Sequence, residues 1–184
     1  MRTFIALDIP DGIRARMMEY LERARALVPG ARWARLESLH VTLKFVGEVS
    51  DARVDEMKTA LAAVKAAPFA VSFQDVGFFP NAKSPRVFWS GVQGGQSLPQ
   101  LAATVGAAMG KLGIAQEDKP YHPHLTLCRA GSAGSLKQLQ PILSPEAPPQ
   151  FGTMTAQEFW LYKSEPQRGG SRYTKLERFG LSEH

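Results

Sequence analysis

Apolar positions along the chain switch repeatedly between a period of two and a period near 3.6, and each switch marks an element. The first run, TFIALDI (residues 3–9), is rich in β-branched and aromatic residues and reads as a buried strand. From about Asp11 the spacing turns helical, with Ile13, Met17, Leu21, Ala24 and Val28 near one face. SLHVTLKFVGEV (38–49) is again a strand, ending at Gly47, and Asp51 is placed to N-cap a second helix striped by Val54, Met57, Leu61 and Val64. FAVSFQDVGFF (69–79) and RVFWSGV (86–92) read as two strands joined through the turn-forming PNAKSP. A third helix opens at SLPQ, where Ser97 and Gln100 make a capping-box pattern. Its stripe is Leu98, Leu101, Val105, Met109 and Leu112, with Gly113 as C-cap. There follow a strand around HLTLC (124–128), a short fourth helix near SLKQLQPIL (135–143) and a Pro-rich connector, SPEAPPQ (144–150). A single strand MTAQEFWLYKS (154–164) and a last strand around RYTKLERF (172–179) complete the chain.

Composition adds bounds to this outline. A chain of 184 residues, 44% hydrophobic and 21% charged, suits one compact domain or two small lobes sharing a core, without help from a metal or disulfide. Cys128 is the sole cysteine, which excludes an internal disulfide and a multi-cysteine zinc site and fits a reducing compartment. The N-terminal apolar run is broken by Asp8, too short for a signal-peptide core or a membrane span. The expectation is a cytoplasmic protein with no membrane partner. A net charge of +5 fits an anionic partner such as RNA or a nucleotide. In YKSEPQRGGSRYTKLERF, the cations Lys163, Arg168, Arg172, Lys175 and Arg178 outnumber Glu165 and Glu177. That basic, Gly-containing segment beside Tyr162 and Tyr173 suits contact with a phosphate backbone and stacking on a base. The alternative is a solvated turn between the two final strands.

Two phrases carry the candidate chemistry. LHVTLKFVGEV supplies His40 and Thr42, and PHLTLCRA supplies His124 and Thr126, each as H-x-T-L on a strand that follows a helix. Strand side chains alternate faces, so each His shares a face with its Thr while the flanking Val41, Leu43, Leu125 and Leu127 turn into apolar packing. The recurrence suggests two similar lobes facing one another, a weak internal duplication. Two imidazoles and two hydroxyls around one cleft suit a phosphodiester. One histidine takes a proton from water, the other protonates the departing oxygen, and the hydroxyls hold the non-bridging oxygens.

With these residues in place, the chain resembles the 2H phosphoesterase superfamily, named for two H-x-[ST]-x motifs. Within it, the chain most resembles the RNA 2′,3′-cyclic phosphodiesterases, historically called 2′-5′ RNA ligases. RTFIALDIP, LHVTLKFVGEV, PRVFWSGV, HPHLTLCR and LYKS…SRYTKL occur in that family's order over nearly the whole chain. The resemblance implies an α+β fold of one bilobal domain over residues 1–184. Each lobe is expected to be an antiparallel sheet with helices on its outer face, with the active-site cleft between the lobes. It implies His40 as proton donor, His124 as proton acceptor, and Thr42 and Thr126 as phosphate binders. The reaction implied is opening of a terminal RNA 2′,3′-cyclic phosphate to a 2′-phosphomonoester, without cofactor or metal, by a monomer. Small cyclic nucleotides are further substrates, 2′-5′ ligation of a cyclic end to a 5′-hydroxyl is the alternative activity, and non-catalytic RNA-end binding is the alternative function.

His122 makes H-x-H with His124, a zinc-ligand spacing, but no third donor sits at a suggestive distance, so it reads as a bystander or a hydrogen-bonder. Arg129 follows the second motif, yet strict alternation puts it on the face opposite His124. It reaches a phosphate there only if the strand twists, bulges or ends. Arg86 is a candidate for RNA backbone contact, Tyr173 and Arg172 for lining the cleft. Alternation puts Cys128 on the His124 face, where it reads as a small core residue.

Overall fold

The computed structural model describes residues 1–143 and 146–183, and the start of the Pro-rich connector, residues 144 and 145, lies outside them. The strands are β1 (Arg2–Leu7), β2 (Arg32–Trp33), β3 (Val41–Glu48), β4 (Phe69–Phe79), β5 (Val87–Gln93), β6 (His124–Arg129), β7 (Gln150–Ala156), β8 (Glu158–Gln167) and β9 (Gly170–Gly180). The α-helices are α1 (Asp11–Leu27), α2 (Asp51–Ala62) and α3 (Ser97–Gly110). They form the α+β fold expected, with two antiparallel sheets in the orders β3-β1-β8-β9 and β2-β6-β5-β4-β7.

The helical stripes fall where periodicity puts them. Ile13, Met17, Leu21 and Ala24 are buried on α1, Val54, Met57 and Leu61 on α2, and Leu98, Leu101, Val105 and Met109 on α3. α1 follows a strand of the first sheet but packs against β7 of the second, while α3 follows the second sheet and packs against β3 of the first. This exchange threads one contiguous apolar core through both sheets.

Five local expectations are corrected. α3 ends at Gly110 with Lys111 as its C-cap, the Lys111 amide donating to the Ala107 carbonyl, and Gly113 lies beyond it in the following turn. Ser50, not Asp51, caps α2, its hydroxyl accepting from the Arg53 amide at 3.2 Å, while Asp51 is already helical. The Ser97–Gln100 box does not form. The turn before α3 supplies carbonyls instead, Gly94 to the Leu98 amide and Gln96 to the Gln100 amide, and Ser97 lies inside the helix. The fourth helix is a 3-10 stretch, Lys137–Ile142, containing Pro141, whose ring and missing N–H oppose an α-helical interior. Finally, MTAQEFWLYKS is two strands. Its first half lies in β7, paired to β4, and its second half in β8, paired to β1 and β9, with the break at Gln157. One extended run thus serves both sheets.

The first sheet has a second apolar face away from the main core, where Phe4, Ala6 and Tyr162 form a small cluster with Trp160. The candidate site is built on that face and on the corresponding face of the second sheet.

Candidate active site

The two histidines are held in the same way. His40 immediately precedes β3, and its Nδ1 lies 3.1 Å from the Ser38 carbonyl oxygen. His124 opens β6, and its Nδ1 lies 2.9 Å from the His122 carbonyl oxygen. A carbonyl only accepts, so in each ring Nδ1 carries the hydrogen and Nε2 is left for chemistry. The carbonyl two residues earlier is available because the chain is extended or just leaving a 3-10 turn as it enters each strand. The role of His122 is therefore its backbone; its side chain is exposed.

Each motif strand then breaks its own alternation at the same place. In the β1–β3 ladder Ala6 faces Thr42 and Ile5 faces Lys44, so Leu43 is the extra residue of a bulge. In the β5–β6 ladder Trp89 faces Thr126 and Phe88 faces Cys128, so Leu127 is the extra residue. Beyond each bulge the faces are exchanged. Lys44 and Cys128 turn toward the core, both buried, and Phe45 and Arg129 turn to the face of Thr42 and Thr126. The alternation expected for Cys128 and Arg129 is corrected accordingly: Arg129 shares the Thr126 face. Lys44 is accommodated because its ammonium donates to the Ala115 carbonyl at 2.6 Å and meets Glu117 at 3.3 Å.

Two contacts tie the motifs together. The Ala34 amide, at the end of β2, donates to the Leu127 carbonyl at 2.9 Å. The Tyr121 hydroxyl donates to the Thr42 carbonyl at 2.9 Å. Residues 34–42 and 121–127 are thereby joined at both ends into one closed circuit of chain that contains both histidines. Neither tie shows in the sequence, because Tyr121 and Ala34 carry no pattern beyond nearness to a motif.

The surroundings of the two rings differ. His40 has a side chain only 6% exposed, set against Tyr162 at 4.5 Å, Tyr173 at 5.5 Å and Phe4 at 5.9 Å between ring centroids. Its Nε2 is 4.0 Å from Asp8 Oδ1. Asp8 in turn accepts from Arg14 at 2.9 Å and Lys175 at 2.7 Å, and Arg14 is fixed further by the Ile9 and Leu36 carbonyls. Burial above all, then the Arg14 charge, lowers the His40 pKa to about 4, against smaller opposing effects of Asp8 and the Ser38 carbonyl. Ligand-free, His40 is therefore neutral at pH 7. His124 is exposed, edge-on to Phe79 at 5.3 Å, and Phe79 rests on Trp89 at 5.2 Å. Gly77 faces Trp89 across the ladder, where any side chain would overlap the indole.

Of the remaining candidates, Tyr173 lies beside His40 and lines a cavity of about 280 Å³ with it and Thr42. Arg86 is turned elsewhere, donating to the Gly134 carbonyl at 2.6 Å. Tyr162 is 1% exposed beneath Phe4, which stacks on it at 5.0 Å, so it supports the site and cannot stack on a base. The basic C-terminal segment is a hairpin, β8 and β9 with the turn between them, and much of its charge is paired: Lys163 with Glu165, Lys175 with Asp8 and Arg178 with Glu158. Among the described residues no three His, Cys, Asp or Glu side chains are grouped to hold a metal, and no helix is long and apolar enough to cross a membrane. Asp8 and Phe45 went unread in the sequence, Asp8 showing only as a charge that ends an apolar run.

Comparison with known proteins adds to this geometry. A family model described as LigT like Phosphoesterase matches residues 7–89 and 92–173, each stretch carrying one H-x-T-L phrase. An RNA 2′,3′-cyclic phosphodiesterase of Archaeoglobus fulgidus is 35% identical, covering 97% of this chain and 99% of its own. One of Escherichia coli is 32% identical, covering 99% and 97%. The crystal structure of E. coli LigT complexed with 3′-AMP superposes with a TM-score of 0.79 at 32% identity, over 99% of this chain and 98% of that one. A Thermus thermophilus protein does so with a TM-score of 0.77 at 29% identity, over 100% of each.

Proposed function

Since the chain belongs to the LigT-like phosphoesterase family and is a phosphodiesterase, we propose that it opens the 2′,3′-cyclic phosphate at RNA ends to a 2′-phosphomonoester by metal-independent acid–base catalysis between His40 and His124. The observation that carries this reading is the matched anchoring of the two rings, each with Nδ1 held by the carbonyl two residues earlier, which leaves the Nε2 side for proton transfer. The relatives' activity and the 3′-AMP held by the E. coli protein support the substrate class.

In the forward step, His124 Nε2 takes a proton from water as the water oxygen bonds to phosphorus. The P–O3′ bond breaks on the opposite side, and His40 Nε2 gives its proton to O3′. The products are a 2′-phosphate, a free 3′-hydroxyl, a protonated His124 and a neutral His40. Exchange with solvent returns the pair to its starting state. Thr42 and Thr126 hydroxyls bind the non-bridging oxygens, and Arg129, brought to the Thr126 face by the bulge, offers a permanent positive charge as the phosphorane forms.

A donor that is neutral in the free protein needs the substrate to charge it. A phosphodiester anion about 4 Å from the imidazole, at an effective dielectric near 20, favours the protonated ring by roughly 4 kcal/mol, about three pH units. Starting from about 4, His40 thus reaches the neutral range once substrate is bound, where a general acid works best.

The test is an oligonucleotide ending in 2′,3′-cyclic phosphate, with the product isomer identified. The 2′-phosphate is expected, with unchanged rate in EDTA. His40→Ala and His124→Ala are each expected to lose about 10²- to 10⁴-fold, the range of one general acid or base, and the double variant little more than the worse single one. Near-full turnover in either single variant would remove the assigned pair.

A further inference from the structure

Arg32, Arg35, Arg129 and Arg168 are exposed, and among the described residues none of them pairs with a carboxylate; the arginines that do are Arg14, Arg53 and Arg178. Arg32 stands directly opposite Arg129 in the β2–β6 ladder. Partners in an antiparallel ladder share a face, so Arg32 joins Arg129 on the face that carries Thr126. Like charges placed directly opposite destabilise a sheet, and no carboxylate of the described residues offsets this pair. Three residues on, Arg35 is extended, which sets it about 10 Å further along the chain. Its Nη2 donates to the Arg168 carbonyl at 3.4 Å, in the turn of the β8–β9 hairpin. That turn admits the approach because residue 169 is glycine, with φ at +83°, where a Cβ would stand 3.1 Å from Arg35 Nη2. The hairpin's Glu165 is already held by Lys163 at 2.7 Å. The four arginines thus form a cationic tract that starts at the second motif, crosses residues 32–35 and ends on the first sheet's hairpin.

An RNA ending in a 2′,3′-cyclic phosphate has all its other backbone phosphates on the 5′ side of that end, each with one negative charge. A mononucleotide with the same end has none of them. Arginine's fixed charge and planar donors suit such a series, and exposed side chains give up little hydration to bind it. We propose that Arg32, Arg35 and Arg168 bind the phosphate backbone 5′ of the cyclic end, entered past Arg129, and so make oligonucleotides better substrates than mononucleotides. Continuity with Arg129 and the Thr126 face favours RNA over an acidic protein surface, which has no need of a tract that begins in the site. The inference rests on the phosphodiesterase reading.

The experiment measures kcat/KM for a pentanucleotide and a mononucleotide with the same 2′,3′-cyclic end, at 50 and 200 mM salt. Three phosphate contacts on a single strand, each with a slope near −0.7 in log affinity against log salt, sum to about −2, or roughly 20-fold over this range. The wild-type preference for the pentanucleotide is expected to be about 20-fold or more at 50 mM and to fall by about 20-fold at 200 mM. The triple variant Arg32→Gln/Arg35→Gln/Arg168→Gln is expected to lose most of the preference and its salt dependence, with the mononucleotide rate little changed. Arg23→Gln/Lys65→Gln/Lys111→Gln removes the same charge from other exposed positions and is expected to keep both. A wild-type protein without the preference would overturn the tract, as would a preference unchanged in the first variant or lost equally in the second. A wild-type protein inert on both substrates would overturn the phosphodiesterase reading. The salt slope of pentanucleotide binding, measured by fluorescence anisotropy, would then decide the tract by itself: a slope kept in the first variant overturns it, and a slope lost there and kept in the second upholds it.

Discussion

Lys175→Met and Asp8→Asn are expected to move the titration of His40 in opposite directions. The groups facing its ring are Asp8 from the end of β1, Arg14 from α1, Lys175 and Tyr173 from β9, and Tyr162 from β8. Burial raises the Tyr162 pKa further, and Asp8, Arg14 and Lys175 set the charge about the ring. Two point charges 4.0 Å apart interact by about 4 kcal/mol at an effective dielectric near 20. Asp8 is 35% exposed and already shared between two cations, so about 1 to 2 kcal/mol survives, roughly one pH unit. Asp8→Asn removes an anion that favours the imidazolium and should lower the His40 pKa by about one unit from about 4. Lys175→Met removes a cation, 42% exposed, and frees Asp8, so the His40 pKa should rise by less than a unit.

The assay is NMR titration of histidine labelled with carbon-13, with kcat/KM measured across the same pH range. In the free enzyme His40, held low by burial, titrates on the acid limb of kcat/KM. Lys175→Met should shift that limb to higher pH and Asp8→Asn to lower pH. In the substrate complex, where His40 titrates in the neutral range, Asp8→Asn leaves about fivefold less protonated His40 at pH 7 and so lowers kcat by a similar factor. Damage to the fold would impair both variants alike. Shifts of the same sign, or an unmoved His40 resonance in both, would refute the electrostatic account.

Other consequences are simpler to measure. The unfolded chain protonates a histidine near pH 6.5, while the folded protein holds His40 neutral to about pH 4. Stability that is complete above about 6.5 should therefore fall by roughly 2 to 3 kcal/mol as the pH drops to 4.5. Denaturant midpoints at pH 7.5 and 4.5 test this, and His40→Gln should flatten the difference. Tyr121→Phe removes the hydrogen bond to the Thr42 carbonyl, so about 1 kcal/mol of stability should go, with a fall in kcat at unchanged secondary structure. Tyr162→Phe deletes a buried hydroxyl that lacks a hydrogen-bond partner among the described residues, so thermal denaturation should show equal or higher stability. Gly77→Val drives a side chain into the Trp89 ring; it should displace Phe79 and His124 behind it and lower turnover more than secondary-structure content.

Most of the fold was legible because helical stripes and strand alternation report burial, and burial is local in sequence. Val54, Met57 and Leu61 needed no knowledge of what covered them to be read as one face. The helix starts were less legible, since a cap depends on where the preceding turn puts its carbonyls. Backbone carbonyls do at α3 what Ser97 and Gln100 were expected to do. The run through Gln157 misled for a related reason: a strand that leaves one sheet for another keeps its extended backbone and its composition, and only pairing reveals the break.

The site depends on a feature that strict alternation reads in the wrong sense. Counting by twos from Thr42 puts Lys44 on the threonine's face and hides Phe45; counting from Thr126 puts Cys128 there and hides Arg129. One extra residue in each strand, Leu43 and Leu127, reverses all four assignments. Neither bulge is marked by glycine or proline, and leucine suits a regular strand equally well. The clue is chemical. With regular pairing, the sheet would bury Arg129 on an apolar face without a partner, at a cost of several kcal/mol. On the exposed face that carries Thr126, the same arginine keeps its charge in water. In the second motif, Arg129 on the supposed core face is therefore evidence for a bulge between Thr126 and that charge, whereas the bulge at Leu43, which turns Lys44 into the core, carries no such mark.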